Sequence, residues 1–126
     1  MKFEGKYGKT LDRFTKSVVA ELGSSVDSMV VYGSVARGEA REDSDIDILI
    51  LSKEGSRIAN KVLEINYDLD LQSDTVSIHI YYTPEEFEKL LSVGSPFAED
   101  VVNQGVVLYD NGTFQRLREQ VSGISR

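Results

Sequence analysis

The stretch Ser44-Asp45-Ile46-Asp47-Ile48-Leu49-Ile50 leaves this chain few choices. Isoleucine at every second position is a strand pattern. Side chains of a strand alternate between faces, so Ile46, Ile48 and Ile50 go to one side and Asp45 and Asp47 to the other. One side belongs in a core. The other holds two carboxylates that repel each other unless something lies between them. Just upstream, Met29-Val30-Val31-Tyr32 reads as a first strand running into Gly33-Ser34. A glycine at that turn lets the backbone approach a ligand with no Cβ in the way. The serine hydroxyl and nearby N–H groups can hold a phosphate, and Val35–Gly38 can form one helical turn whose N-terminus points at that anion.

The remaining elements follow from periodicity and punctuation. Met1–Gly8 is polar and expected to be loosely ordered. Thr10 is the expected cap of a helix over Leu11–Leu22, with Leu11, Phe14, Val18 and Leu22 on its apolar face. After the central strand, Asp45–Leu51, a helix starting at Ser52 or Ser56 and running to about Leu69 turns Ile58, Val62, Ile65 and Leu69 inward. Asp70–Asp74 reads as a polar turn. Thr75–Tyr82 reads as a third strand, with Val76, Ile78 and Ile80 alternating against Ser77, His79 and Tyr81. Thr83-Pro84-Glu85-Glu86 is a helix start with a capping box. A short helix over Phe97–Gln104, an edge strand Val106–Tyr109 and a last helix from Thr113 to about Val121 complete the chain. The fold expected is α/β (α+β): a small mixed sheet with helices packed mainly on the Ile46 face and the opposite face partly open.

Composition narrows the function. The 126 residues suit one domain, residues 1–126, with no room for a separate substrate domain. There are no cysteines, which excludes a thiol nucleophile, a disulfide framework and a zinc-thiolate site, and fits a reducing compartment. With a single histidine, any imidazole chemistry depends on His79. A net charge of −7 argues against direct nucleic-acid binding. No apolar run is long enough to cross a bilayer, and the start lacks a basic-then-apolar signal pattern. No membrane association and a cytoplasmic location are expected.

Two carboxylates at Asp-x-Asp spacing opposite a Gly-Ser turn suit a site for Mg²⁺ and a nucleotide. Magnesium prefers oxygen and is held by one or two carboxylates plus substrate phosphates. Gly33-Ser34-Val35-Ala36-Arg37-Gly38, then Ser44-Asp45-Ile46-Asp47-Ile48-Leu49-Ile50, resembles the signature of the DNA polymerase β-like nucleotidyltransferase superfamily: Gly-Ser, ten residues, Asp-x-Asp. The Ala-Arg-Gly and the serine before the first aspartate resemble its small stand-alone, "minimal" members. The resemblance implies that Asp45 and Asp47 ligate Mg²⁺ and are catalytic. It implies that Gly33 and Ser34 contact the triphosphate, with Ser44 beside them. Arg37 either helps with phosphates or braces the loop by pairing with an acid. Minimal members often pair with a helical HEPN-type protein, as antitoxins that transfer AMP to it from ATP.

One departure stands out. Members that catalyse transfer usually carry a third carboxylate on a later strand. The candidate face of Thr75–Tyr82 shows Ser77, His79 and Tyr81 and no acid. Asp74 reaches in only if that strand starts elsewhere, and Asp68 and Asp70 read as solvated. His79 is open between a general base and a strand residue without a role. The reading is a Mg²⁺-dependent nucleotidyltransferase moving a nucleoside monophosphate, AMP from ATP, to a hydroxyl of a partner protein. The alternative is a catalytically degenerate module that binds nucleotide or partner.

Overall fold

Two apolar periods build two layers around one sheet. The computed structural model describes residue 3 and residues 5–124. In α1 (Gly5–Leu22), Leu11, Phe14 and Val18 recur at helical spacing and are fully buried. The helix begins earlier than the polar composition suggests. Thr10 is therefore not a cap: it lies inside α1, buried, with its Oγ1 unpartnered.

The sheet has the order β3-β2-β1-β4. β1 (Ser28–Tyr32) pairs antiparallel with β2 (Ile46–Leu51) and with β4 (Val106–Asp110). β3 (Ser77–Tyr82) lies parallel to β2, which requires a crossover. That crossover is a 3₁₀ turn, Gly55–Ile58, and α3 (Ala59–Ser73). Helix α3 runs through the expected 70–74 turn and ends at Asp74, which takes the left-handed conformation at φ 54°. The Asp70 carboxylate then anchors the start of β3, accepting from the Thr75 hydroxyl (2.7 Å) and the Ser77 N–H (2.9 Å).

The expected capping box opens α4 (Pro84–Ser92): Thr83 Oγ1 accepts from the Glu86 N–H at 3.1 Å, and Glu86 returns the bond at 2.8 Å. Helix α5 (Pro96–Gln104) and α6 (Thr113–Ile124) follow, separated by β4.

Met29, Val31, Ile46, Ile48 and Ile50 form one core with α1 and α3. Val30, Leu49 and Leu51 form a second with Phe87 of α4, Val101 of α5 and Phe114 of α6. The acid face of β2 is thus covered more than the alternation around Asp47 suggests. The reason is local: Leu49 and Leu51 continue that face with apolar side chains, and these require a cover. Only the end at Asp47 escapes the helices. Among the described residues, no helix is long and apolar enough to cross a membrane.

Candidate active site

The site begins where β1 ends. Tyr32 pairs in register with Asp47 on β2, so the chain turns beside that carboxylate. Gly33 makes the turn at φ 77°, a region costly for residues with a Cβ. A Cβ there would lie 2.6 Å from Asp47 Oδ2, so the acid packs against bare backbone. The four residues Gly33–Ala36 form a single helical turn, α2, closed by the Arg37 N–H on the Gly33 carbonyl at 3.1 Å. The first N–H groups of such a turn have no partner within it. Asp45 lies one residue ahead of β2 and Asp47 one residue inside it. Burial, then the charge of Asp45, raises the Asp47 carboxyl above its ordinary range, while Arg37 pulls the other way.

Arg37 is at the site and also in an ion pair: its Nε lies 2.9 Å from Glu39 Oε1, with both side chains well exposed. Such a pair is weak and leaves the guanidinium free to exchange partners. Ser44 instead spends its hydroxyl on the loop, accepting from the Arg41 N–H at 2.7 Å. Two residues from the supposedly loose N-terminal stretch hold the same loop. Tyr7 donates its hydroxyl to the Arg41 carbonyl, and Lys6 Nζ bridges the carbonyls of Glu42 (2.6 Å) and Asp74 (2.9 Å). Sequence periodicity gave no signal for these braces, because their partners are backbone atoms of a loop.

Strand β3 corrects the expectation most. His79 does not share a face with Asp47. Its ring stacks on Phe14 of α1, with centroids 5.2 Å apart and planes at 12°, on the opposite side of the sheet. Burial pushes its pKa down to about 4, and its Nε2 has no partner. Ser77 and Tyr81 share that side by alternation. The residue directly across from Asp47 is Ile78, 43% exposed, and Ile80 follows on the same face. The place beside Asp47 is therefore apolar, and a general-base role for His79 is excluded by position. On the other flank, burial and the charge of Asp47 push the Tyr32 phenol up to about 12. The Tyr32 ring packs against the second core and meets Phe97 edge-on at 5.3 Å, so this strand residue also gives the site an aromatic wall.

The donor set is all oxygen. Among the described residues no group of three or more His, Cys, Asp or Glu could hold a metal ion. Two carboxylates, one of them packed into a glycine cradle, fit a hard cation that completes its shell with water and phosphate oxygens, as Mg²⁺ does.

Comparisons with known proteins bear on the family and the fold. Residues 11–108 match the nucleotidyltransferase domain family. Two proteins of Methanocaldococcus jannaschii, each provisionally named a protein adenylyltransferase, are similar. One is 31% identical over 98 residues, 76% of this chain and 92% of the relative. The other is 30% identical over 101 residues, 80% and 96% of the two chains. Among solved structures, a chain from a toxin–antitoxin crystal structure with AMP-PNP superposes with a TM-score of 0.58 at 16% identity, covering 90% of this chain and 86% of that one. A chain of the toxin–antitoxin MntA–HepT gives 0.53 at 15%, covering 94% and 86%. At these identities the two structures speak for the fold.

Proposed function

This chain belongs to the nucleotidyltransferase domain family, and from that premise we propose that it transfers AMP from ATP to a hydroxyl of a partner protein in a Mg²⁺-dependent reaction. The observation that carries the reading is the packing of the Asp47 carboxylate on the bare backbone of Gly33, with Asp45 beside it. Asp45 and Asp47 would hold the metal, which when bound neutralises the triphosphate and polarises the phosphorus under attack. The turn at Gly33-Ser34 presents N–H groups and a hydroxyl to the phosphates, and Arg37 can leave Glu39 for them. The acceptor oxygen bonds to the α-phosphorus, the bond to the β-phosphate oxygen breaks, and pyrophosphate leaves with the electron pair. The acceptor proton goes to water or to a group on the partner, since Ile78 stands where a base on this chain would be useful. Positioning and charge account for the rest of the catalysis.

A protein acceptor is supported by the names of the two archaeal relatives, nearly all of whose length is matched. A HEPN-type helical partner, with this chain as antitoxin, is supported by the shared fold with MntA–HepT. We read residues 1–126 as one cytoplasmic domain. The second reading, a module that binds nucleotide or partner without transfer, is favoured by one observation, the isoleucine opposite Asp47.

The test is labelling with α-labelled ATP and Mg²⁺ in a lysate of source cells, beside the Asp45→Asn/Asp47→Asn variant. A labelled protein band with wild type alone is expected. Labelling that survives both substitutions overturns the metal-site assignment. No label, together with a melting temperature that ATP raises only when Mg²⁺ is present, supports the binding module.

A further inference from the structure

Seven large apolar side chains are conspicuously exposed among the described residues, and five of them lie on α3 and the start of β3. Leu63, Tyr67 and Leu71 are 58%, 62% and 66% exposed, and Val76 is 59% exposed. These four line one groove of about 330 Å³ between α3 and the β3 entry. Ile78, two residues on from Val76, is exposed on the Asp47 face of the sheet, outside the groove. We infer that this groove docks the acceptor protein, through a helix whose apolar ridge is flanked by lysine or arginine. The inference rests on the reading that the acceptor is a protein.

Helix α3 is apolar on two sides. Val62, Ile65 and Leu69 face the core and account for its place in the fold. Leu63, Tyr67 and Leu71 do nothing for that core. Their four-residue spacing forms a ridge of the kind that packs into the groove of another helix. The rim of the ridge along α3 is acidic: Glu64 and Asp68 are exposed and form no ion pair among the described residues, and Lys61 is the one base on α3. Lys6, on the Asp74 carbonyl at 2.9 Å, lies only at the far end beside the β3 entry. A basic flank complements this rim. A second copy of the chain, related by a two-fold axis, would set the same acids against each other.

The neighbouring sheet edge points the same way. β3 is an outer strand, and Ser77–Tyr82 contains no Lys, Glu or Pro, the residues that usually protect an exposed edge. Finally, Ile78 pairs in register with Asp47. Both lie on the sheet face away from α3, so a protein seated in the groove reaches the carboxylate pair around the edge of β3. There Val76, which lines the groove, accepts at its carbonyl from the Ile46 N–H between the two aspartates (2.8 Å).

The test uses the full chain and two variants. Leu63→Ser/Tyr67→Ser/Leu71→Ser removes the ridge and keeps the acids. Glu64→Lys/Asp68→Lys keeps the ridge and reverses the rim, and it serves where the first variant fails to fold. The probes are two fluorescent synthetic helices with a leucine ridge, one flanked by arginine and its twin by glutamate. The arginine-flanked helix is expected to bind wild type at least tenfold tighter than the ridge variant. The rim variant is expected to prefer the glutamate-flanked twin. Equal binding to wild type and ridge variant, no reversal by the rim variant, or a self-dimer in sedimentation that the ridge variant abolishes each overturns the inference. In the ATP-labelling assay, the ridge variant is expected to label the acceptor at least tenfold more slowly while its ATP–Mg²⁺ thermal shift stays unchanged. Equal labelling rates overturn docking and leave transfer standing. No labelling by wild type removes transfer, and the helix titration then decides docking by itself.

Discussion

Lowering the pH from 7.5 to 5.0 charges one imidazole in the unfolded chain before it charges it in the fold. His79 is the only histidine, so no other imidazole contributes in that window. Its pKa falls from an ordinary 6.5 to about 4 because its ring is buried against Phe14, and the charge of Asp70 offsets this only in part. The sign follows by linkage. Above 6.5 the ring is neutral in both states and costs nothing. Between 6.5 and about 4 the unfolded chain binds a proton that the fold refuses, so stability falls as the pH falls and levels off below about 4. A separation of this size is worth about 3 kcal/mol in all, about 2 of it reached by pH 5. The perturbation is His79→Phe, which keeps a ring on Phe14 and removes the titrating nitrogens. Urea unfolding of wild type and variant, at pH 7.5, 6 and 5 and constant ionic strength, reads the difference. Wild type is expected to lose about 2 kcal/mol more than the variant over that range. The Asp47 carboxyl, raised above its ordinary range, acts in the opposite sense in both proteins and cancels in the comparison. Slopes that coincide would refute the burial argument. Transfer activity of His79→Phe is expected within a few-fold of wild type. A loss of about 10²-fold or more with the fold intact would restore the imidazole as a base.

Three further outcomes are expected from the site itself. Gly33→Ala forces a Cβ to within 2.6 Å of Asp47 Oδ2 at φ 77°, so it should cost about 1–2 kcal/mol in thermal melts and at least about 100-fold in transfer. A rate unchanged in that variant would show that the Asp47 position does not matter. Ile78→Asp sets a third carboxylate directly across from Asp47 at a half-open position, and single-turnover labelling should rise by about tenfold or more. An unchanged or lower rate would remove this position as the place for a base. Arg37→Ala breaks an exposed pair worth at most about 1 kcal/mol, so the melting temperature should hardly move while the KM for ATP rises. A stability loss without a KM change would make Arg37 a brace alone.

The parts of this molecule legible in the sequence are those set by neighbours a few residues apart. The Gly-Ser turn, the strand after it and the Thr83 cap depend on local backbone preference and on period-two or period-3.6 alternation, and the structure has them where the spacing puts them. The assignment of β3 faces failed for a different kind of reason. Alternation divides Ser77–Tyr82 into two sets, but it does not say which set faces α1. At a sheet edge the usual rule, apolar inward, loses force, because one side of an edge strand can stay open. The deciding facts are long-range: the pairing of Asp47 with Ile78, and a planar surface on Phe14 that takes an imidazole as readily as it takes a ring of carbon. The same logic explains Tyr7, whose value lies in reaching a loop carbonyl more than thirty residues away. A residue's face at the edge, or its service to a distant backbone atom, is a property of register. Register here is fixed by the crossover through α3, the element that also carries a second, unburied ridge. Sequence patterning finds the inward stripe of α3, Val62, Ile65 and Leu69; the second ridge, Leu63, Tyr67 and Leu71, stands out only once the packed sheet shows which side of the helix the fold leaves free.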